Sequence, residues 1–210
     1  YKVTLNNGIT NEMAPTKRSV HFRFSFPKEE NADLILDGYT DMSEIKIDPK
    51  KRQITGWVNN QRFVNNSKTF HNYFVIQFDK PFEAYGVWEN QTDKTFPDQL
   101  SGEGKGYGAY IQFKRGSKVQ AKAASSYISY EQAWITLHRE LGKDKNLEVT
   151  KARGAKTWNE LLNRVLVEGG TEEQMKTFYS CLFRSNLFSR KFYERNENNE
   201  PYYYSPYDGK

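Results

Sequence analysis

The sequence has one cysteine, Cys181, so no disulfide can form within the chain. It lies in an apolar helical pattern, and no histidine stands in a partner motif. The thiol therefore reads as a small buried hydrophobe and not as a nucleophile. Histidine is scarce too: His21, His71 and His138 are all there are. No His-x-x-x-His or Cys-x-x-Cys spacing supports a zinc site, and the three read as solvent-facing or hydrogen-bonded structural residues. No apolar run reaches membrane-spanning length, and no basic-then-apolar leader is present, so an export signal is expected upstream of this chain. A dominant charge is also lacking. The 31 basic and 26 acidic side chains leave +5, and the clusters "PTKRSV" and "DPKKRQ" sit at turns without forming a stripe. Nucleic acid is not an expected partner.

Aromatic residues are abundant. The 14 Tyr and 14 Phe carry most of a 15% aromatic share, against 37% hydrophobic and 27% charged overall. That is the composition of a soluble globular protein of one large domain, or one domain with part of another.

Up to about residue 127 the pattern has a period of two. "VHFRFSF" puts Val20, Phe22, Phe24 and Phe26 on one face and His21, Arg23 and Ser25 on the other. "HNYFVIQFD" sets Phe74, Ile76 and Phe78 against Tyr73, Val75 and Gln77. "ADLILD", "EIKID" and "QITGWVNN" are shorter strands, with "DPKK" a turn between two of them. "GAYIQFKRGSKVQAKAASSY" reads as a hairpin turning at Arg115-Gly116-Ser117. Many short strands with no helices between them predict a mainly β chain built on an antiparallel β-sandwich over residues 1–127. Between Trp88 and Tyr107, "ENQTDKTFPDQLSGEGKG" reads as a long polar excursion at the sandwich edge, functional or disordered.

Residues 128–210 change to helical period and predict an α-helical linker segment. Ser129 caps a first helix with Gln132 at the capping-box position; Trp134, Leu137 and Leu141 form its stripe and Gly142 its stop. A second helix over 148–165 lines up Trp158, Leu161, Leu162 and Val165. "VEGG" is a brief strand or a turn. Thr171, with Gln174, caps a third helix whose stripe is Met175, Phe178, Tyr179, Leu182, Phe183 and Leu187. Two adjacent rows of such side chains are too wide for the chain's own helices to cover, so this face wants a partner. The tail "PYYYSPYDGK" raises the same need, because tyrosines this dense have area to bury and hydroxyls to satisfy.

No catalytic constellation emerges. "SGEGKGYG" lacks the spacing and the strand-to-helix setting of a phosphate loop, and "DGYTDMSE" departs from the calcium-loop pattern. Glu131, Glu140, Glu160, Glu168, Glu172 and Glu173 serve helix ends and helix faces, and no two can be nominated as an acid and base pair. Tryptophan can stack on the C–H face of a sugar ring. Trp134 and Trp158 are assigned to the sheet–helix core, which leaves Trp57 and Trp88, at strand ends near polar loops, as the substrate-binding candidates. No residue is nominated as catalytic or as a metal ligand.

In order along the chain, "HFRFSFPKEENADLILD", "ITGWVNNQ", "FVIQFDKPFEAYGVW", "SYISYEQAWITLHREL", "VEGGTEEQMKTFYSCLFRSNLFSR" and "YYYSPYDGK" resemble consecutive blocks of the family ninety-two glycoside hydrolases, bacterial exo-acting α-mannosidases. The "VEGGTEEQ…FYSCLFRS" block is the most specific, and the insert from Asp93 to Lys105 has no match. The resemblance implies a supersandwich-like N-terminal domain, helical connectors and an (α/α)6 catalytic barrel, with a calcium-dependent, inverting site at their interface. It also implies that catalytic residues and calcium ligands lie outside this chain, that its partners are that barrel and mannose-containing glycans, and that the protein is secreted or periplasmic. The chain is then expected to be inactive alone, a cleft wall whose tyrosine tail and third helix meet the barrel, with "DGK" a turn toward the next helix. A free-standing carbohydrate-binding or structural β-sandwich module is the alternative.

Overall fold

The computed structural model describes residues 1–38, 41–59, 70–187 and 191–205. In chain order the strands of its β portion are β1 (Lys2–Thr4), β2 (Thr10–Pro15), β3 (Ser19–Ser25), β4 (Ala32–Leu36), β5 (Met42–Asp48), β6 (Gln53–Asn59), β7 (His71–Phe78), β8 (Ala84–Glu89), β9 (Lys94–Pro97), β10 (Ser101–Lys105), β11 (Tyr107–Phe113) and β12 (Lys118–Ser126). Helices α1 (Tyr130–Leu141), α2 (Leu147–Leu162) and α3 (Glu172–Ser185) follow, then a small hairpin of β13 (Glu194–Arg195) and β14 (Pro201–Tyr202).

The strands form two packed antiparallel sheets. The large one runs β1-β2-β3-β12-β7-β6-β5-β10 and the small one β4-β11-β8-β9. The alternation in the sequence decides which side chains meet between them. Phe24, Phe26, Ile45, Ile54 and Phe78 from the large sheet close on Val87, Ile111 and Phe113 from the small one. Phe113 is at the centre, with ring centroids 6.3 Å from Phe26, 5.5 Å from Phe78 and 5.7 Å from Phe82.

The sheets correct two readings of the sequence. Gly116 does take a positive φ, 71°, but β11 and β12 are not a hairpin. They lie in different sheets, and the turn carries the chain across the sandwich. Alternation reveals a strand's buried face; it does not say which strand is its neighbour. The polar excursion is also structured. Its first part pairs with β8 as β9, and its second crosses to the large sheet and pairs with β5 as β10. Gly102 and Gly104 allow this, because Tyr107 lies across them and a Cβ on Gly102 would come within 2.4 Å of its ring.

On the outer face of the large sheet, α1 covers Val75 and Ala124 with Ala133, Leu137 and the flank of Trp134. Ser129 caps α1 as expected, accepting from Gln132 N at 3.1 Å. Gln132 does not complete a box, because its side chain is directed elsewhere. Gly142 ends α1 at φ −59°, so its stop is not a left-handed one. α2 is capped by Asn146 and buries only Leu147 and Thr150, both near its start. Trp158 leaves the sheet altogether and packs on Phe183 of α3 at 4.5 Å between ring centroids. The capping box of α3 is present.

Nothing on α3 is buried. Phe178, Phe183 and Leu187 are exposed, and so is Cys181, contrary to the buried thiol expected. The helix touches its own chain mainly through Trp158 and through the Tyr179 hydroxyl, which donates to Val165 O at 3.2 Å.

Candidate functional site

The antiparallel register places Glu44, Trp57, Tyr73 and Ser126 in one row across β5, β6, β7 and β12, with Glu103 of β10 at its end. All share the outer face of the large sheet. Trp57, half-buried, packs on His71 with ring centroids 4.0 Å apart. His71 meets the edge of Tyr73 at 5.7 Å, and Tyr73 meets the edge of Tyr130 at 5.0 Å. Tyr130, the first residue of α1, donates its hydroxyl to Glu44. Lys46 pairs with Glu44 at 2.6 Å and lies 5.6 Å from the Tyr130 ring centre.

Electrostatics fix the charge states. Burial pushes the Glu44 carboxyl up, but hydrogen bonds from Lys46 and Tyr130, the Lys46 charge and the Trp57 indole outweigh it, so the carboxyl stays ionised to lower pH than usual. Burial, reinforced by the hydrogen bond to Glu44, holds the Tyr130 phenol protonated far above the ordinary range. His71 is pushed down by burial, against opposing pulls from Glu103 and Glu44, and is neutral at physiological pH. The result is one fixed carboxylate beside an aromatic wall, a surface suited to hydroxyl-bearing ligands.

Next to it, the tail is fastened down. Gln132 Nε2 donates to Arg195 O at 2.8 Å, and its Oε1 accepts from the Tyr202 hydroxyl at 2.6 Å. Arg139 donates to Arg195 O and Asn196 O, and Arg18 to Lys191 O and Tyr193 O. Glu194 is buried and accepts from Tyr127 N at 2.8 Å. Tyr204 stacks on Phe70, which stacks on Tyr127. The tyrosine run is therefore split: Tyr202 and Tyr204 seat on their own chain, while Tyr203 is 63% exposed. Tyr207 and the Asp208-Gly209-Lys210 turn lie outside the described residues, as do Tyr39 and Thr40 of "DGYTDMSE".

A second polar group imitates catalytic chemistry. Thr150 Oγ1 donates to Asp144 at 2.7 Å and so accepts from His21 Nδ1 at 2.9 Å. Arg153 pairs with the same carboxylate at 2.6 Å. His21 and Thr150 are each 1% exposed, so no substrate reaches them, and the chain of bonds fastens α2 to β3.

Trp88 is on the opposite side of the sandwich. It projects from the outer face of the small sheet, and its indole donates to Leu36 O at 3.2 Å. The two candidate tryptophans therefore do not form one site. Sequence reasoning missed Glu44, His71, Tyr73 and Tyr130, which come from separate strands and a helix and meet only through the register. Among the described residues no group of three or more His, Cys, Asp or Glu side chains is placed to hold a metal ion.

Comparison with known proteins places this architecture. The family model described as the glycosyl hydrolase family 92 N-terminal domain matches residues 1–126, and that of the family 92 catalytic domain matches residues 132–210. The chain is similar to the solved structure of a family GH92 inverting mannosidase from Bacteroides thetaiotaomicron, with 38% identity and a TM-score of 0.92 over 100% of this chain and 28% of that one. A GH92 α-mannosidase from the same bacterium shares the fold at 21% identity and a TM-score of 0.78, over 98% of this chain and 29% of that one. A protein of Arthroderma benhamiae described as an uncharacterized secreted glycosidase is 25% identical over 99% of this chain and 30% of its own length. The chain thus spans less than a third of the relatives it matches. The N-terminal match alone covers more than half of the residues, and the chain belongs to glycosyl hydrolase family 92.

Proposed function

We propose that this chain is the non-catalytic β-sandwich, with its following helices, of an exo-acting, inverting α-mannosidase that is exported to the periplasm or beyond the cell. Residues 1–127 form the sandwich, and residues 128–210 lead into a catalytic (α/α)6 barrel. The observation that carries the reading is the apolar face of α3: a helix matched by the catalytic-domain model buries none of its side chains and leaves Phe178 and Phe183, with Leu187 just beyond its end, more than a third exposed. A surface of that kind marks a packing interface, and the rest of the catalytic domain is its occupant. The likeness to a mannosidase at 38% identity supports the substrate class, and the secreted relative supports export.

The Trp57 cluster is the part of this chain that faces the mannoside to be cleaved. Trp57 offers a ring to a sugar C–H face, and Glu44 accepts from its hydroxyls. In an inverting hydrolase one carboxylic acid protonates the leaving oxygen while a carboxylate activates water on the opposite face of the sugar. Neither role belongs to a residue described here. Calcium, which the family resemblance implies, would be held by ligands outside the described residues and would supply a Lewis-acid contact to sugar hydroxyls.

The test compares α-mannoside hydrolysis by the 210-residue chain and by a longer polypeptide carrying the remaining catalytic domain. Only the longer form releases mannose, and the product first appears as the inverted anomer. In that form Trp57→Ala raises KM. Turnover by the chain alone, or a Trp57→Ala enzyme with unchanged KM, refutes the corresponding part.

A further inference from the structure

On the side of the sandwich away from the helices, the outer face of the small sheet carries its own aromatic surface. The register sets Ile35, Tyr110 and Gly86 in one row across β4, β11 and β8, and Gly108 opposite Trp88 in the next. Each large ring thus faces a glycine on the neighbouring strand and lies over it. A Cβ on Gly108 would come 2.3 Å from Trp88 Nε1, and one on Gly86 would come 2.5 Å from the Tyr110 hydroxyl oxygen. A ring laid on the backbone of the adjacent strand turns its other face away from the sheet. Rows two residues apart along a strand are separated by about 7 Å, so the rings form one continuous strip. Ile35 extends it and is 66% exposed.

The strip has a polar border. Gln112 Nε2 donates to Asp33 at 2.9 Å, and Asn90 Nδ2 donates to Asp37 at 3.3 Å. Asp98 follows Pro97, which pairs with Gly86 in the row that holds Tyr110. We propose that this face binds the pyranose rings of a neutral glycan chain. Flat aromatic faces match the apolar C–H side of a sugar, and the carboxylate–carboxamide pairs match its rim of hydroxyls. The three carboxylates disfavour anionic partners such as nucleic acid or acidic lipid, although the chain as a whole is +5. The sheet holds both rings in place before binding, which spares the cost of ordering them. Binding here needs no hydrolysis, so it stands or falls independently of the mannosidase reading.

Electrophoresis of the 210-residue chain through gels containing soluble α-mannan or a soluble β-glucan tests the proposal. Retardation by either polysaccharide is expected. Tyr110→Ala and Ile35→Asp each weaken it by about fivefold to tenfold, while Lys156→Ala, an exposed change on α2 away from both aromatic surfaces, leaves it unchanged. Ile35, exposed at the sheet edge, serves where Tyr110→Ala impairs folding, and melting curves identify any variant that does so. No retardation in either gel overturns the proposal. So does retardation that survives Ile35→Asp in a folded protein, or that is lost equally in Lys156→Ala.

Discussion

Tyr130 donates its hydroxyl to Glu44 and so ties the first turn of α1 to the outer face of the large sheet. Helix and sheet come from stretches 86 residues apart, and this bond closes the aromatic row begun by Trp57. Removing the donor leaves a carboxylate with fewer partners. Tyr130→Phe should destabilise the chain by about 1.5–3 kcal/mol, the range for a hydrogen bond to a charged group, measured by denaturant unfolding.

The same carboxylate sets a pH dependence. The folded-state pKa of Glu44 lies below its ordinary value, so its contribution is complete above the usual Glu range and is lost as pH falls through the depressed value. Unfolding measured from pH 7 down to pH 3 should show this loss, and Glu44→Gln should flatten it.

Glu194 behaves in the opposite sense. Burial raises its pKa, and nearby Glu140 adds to this, against hydrogen bonds from Tyr127 N and Ser126 and the attraction of Arg18. A raised carboxyl contributes fully below the unfolded pKa, and the contribution is lost as pH rises through the folded one. Glu194→Gln keeps an acceptor for Tyr127 N and has no charge to bury. It should be more stable than the parent at pH 7 and lose that advantage near pH 4, as read from paired denaturation curves.

The sandwich core tests the packing account. Phe113→Ala removes a ring held among Phe26, Phe78 and Phe82 and should cost about 3–5 kcal/mol. Gly108→Ala should also destabilise, because its Cβ would lie 2.3 Å from Leu36 O, and a backbone atom cannot swing aside as a side chain can.

Much of this fold was legible in the residues. The alternation of Phe22, Phe24 and Phe26 located β3 and its buried face, and Ser129 and Thr171 marked two helix starts. Glycine and polar residues hid β9 and β10, since partners in the sheet and not local propensity make those strands. Sheet membership at Gly116 was invisible for a related reason: a crossing arch and a hairpin use the same turn residues. In the candidate site Trp57 stood out as a large ring beside a polar loop. Its neighbours His71, Tyr73, Tyr130 and Glu44 did not, because only strand pairing brings them together. Cys181 and Trp158 were assigned to a core from helical period alone, which marks an apolar face without saying what covers it.

The central claim is that the apolar face of α3 belongs against the rest of a catalytic domain, and Cys181 on that helix reports on it directly. Thiol labelling of Cys181, followed site-specifically by mass spectrometry, should be rapid in the 210-residue chain, where the residue is exposed. In the longer polypeptide carrying the remaining catalytic domain it should be strongly protected. Equal labelling rates in the two forms would contradict the account.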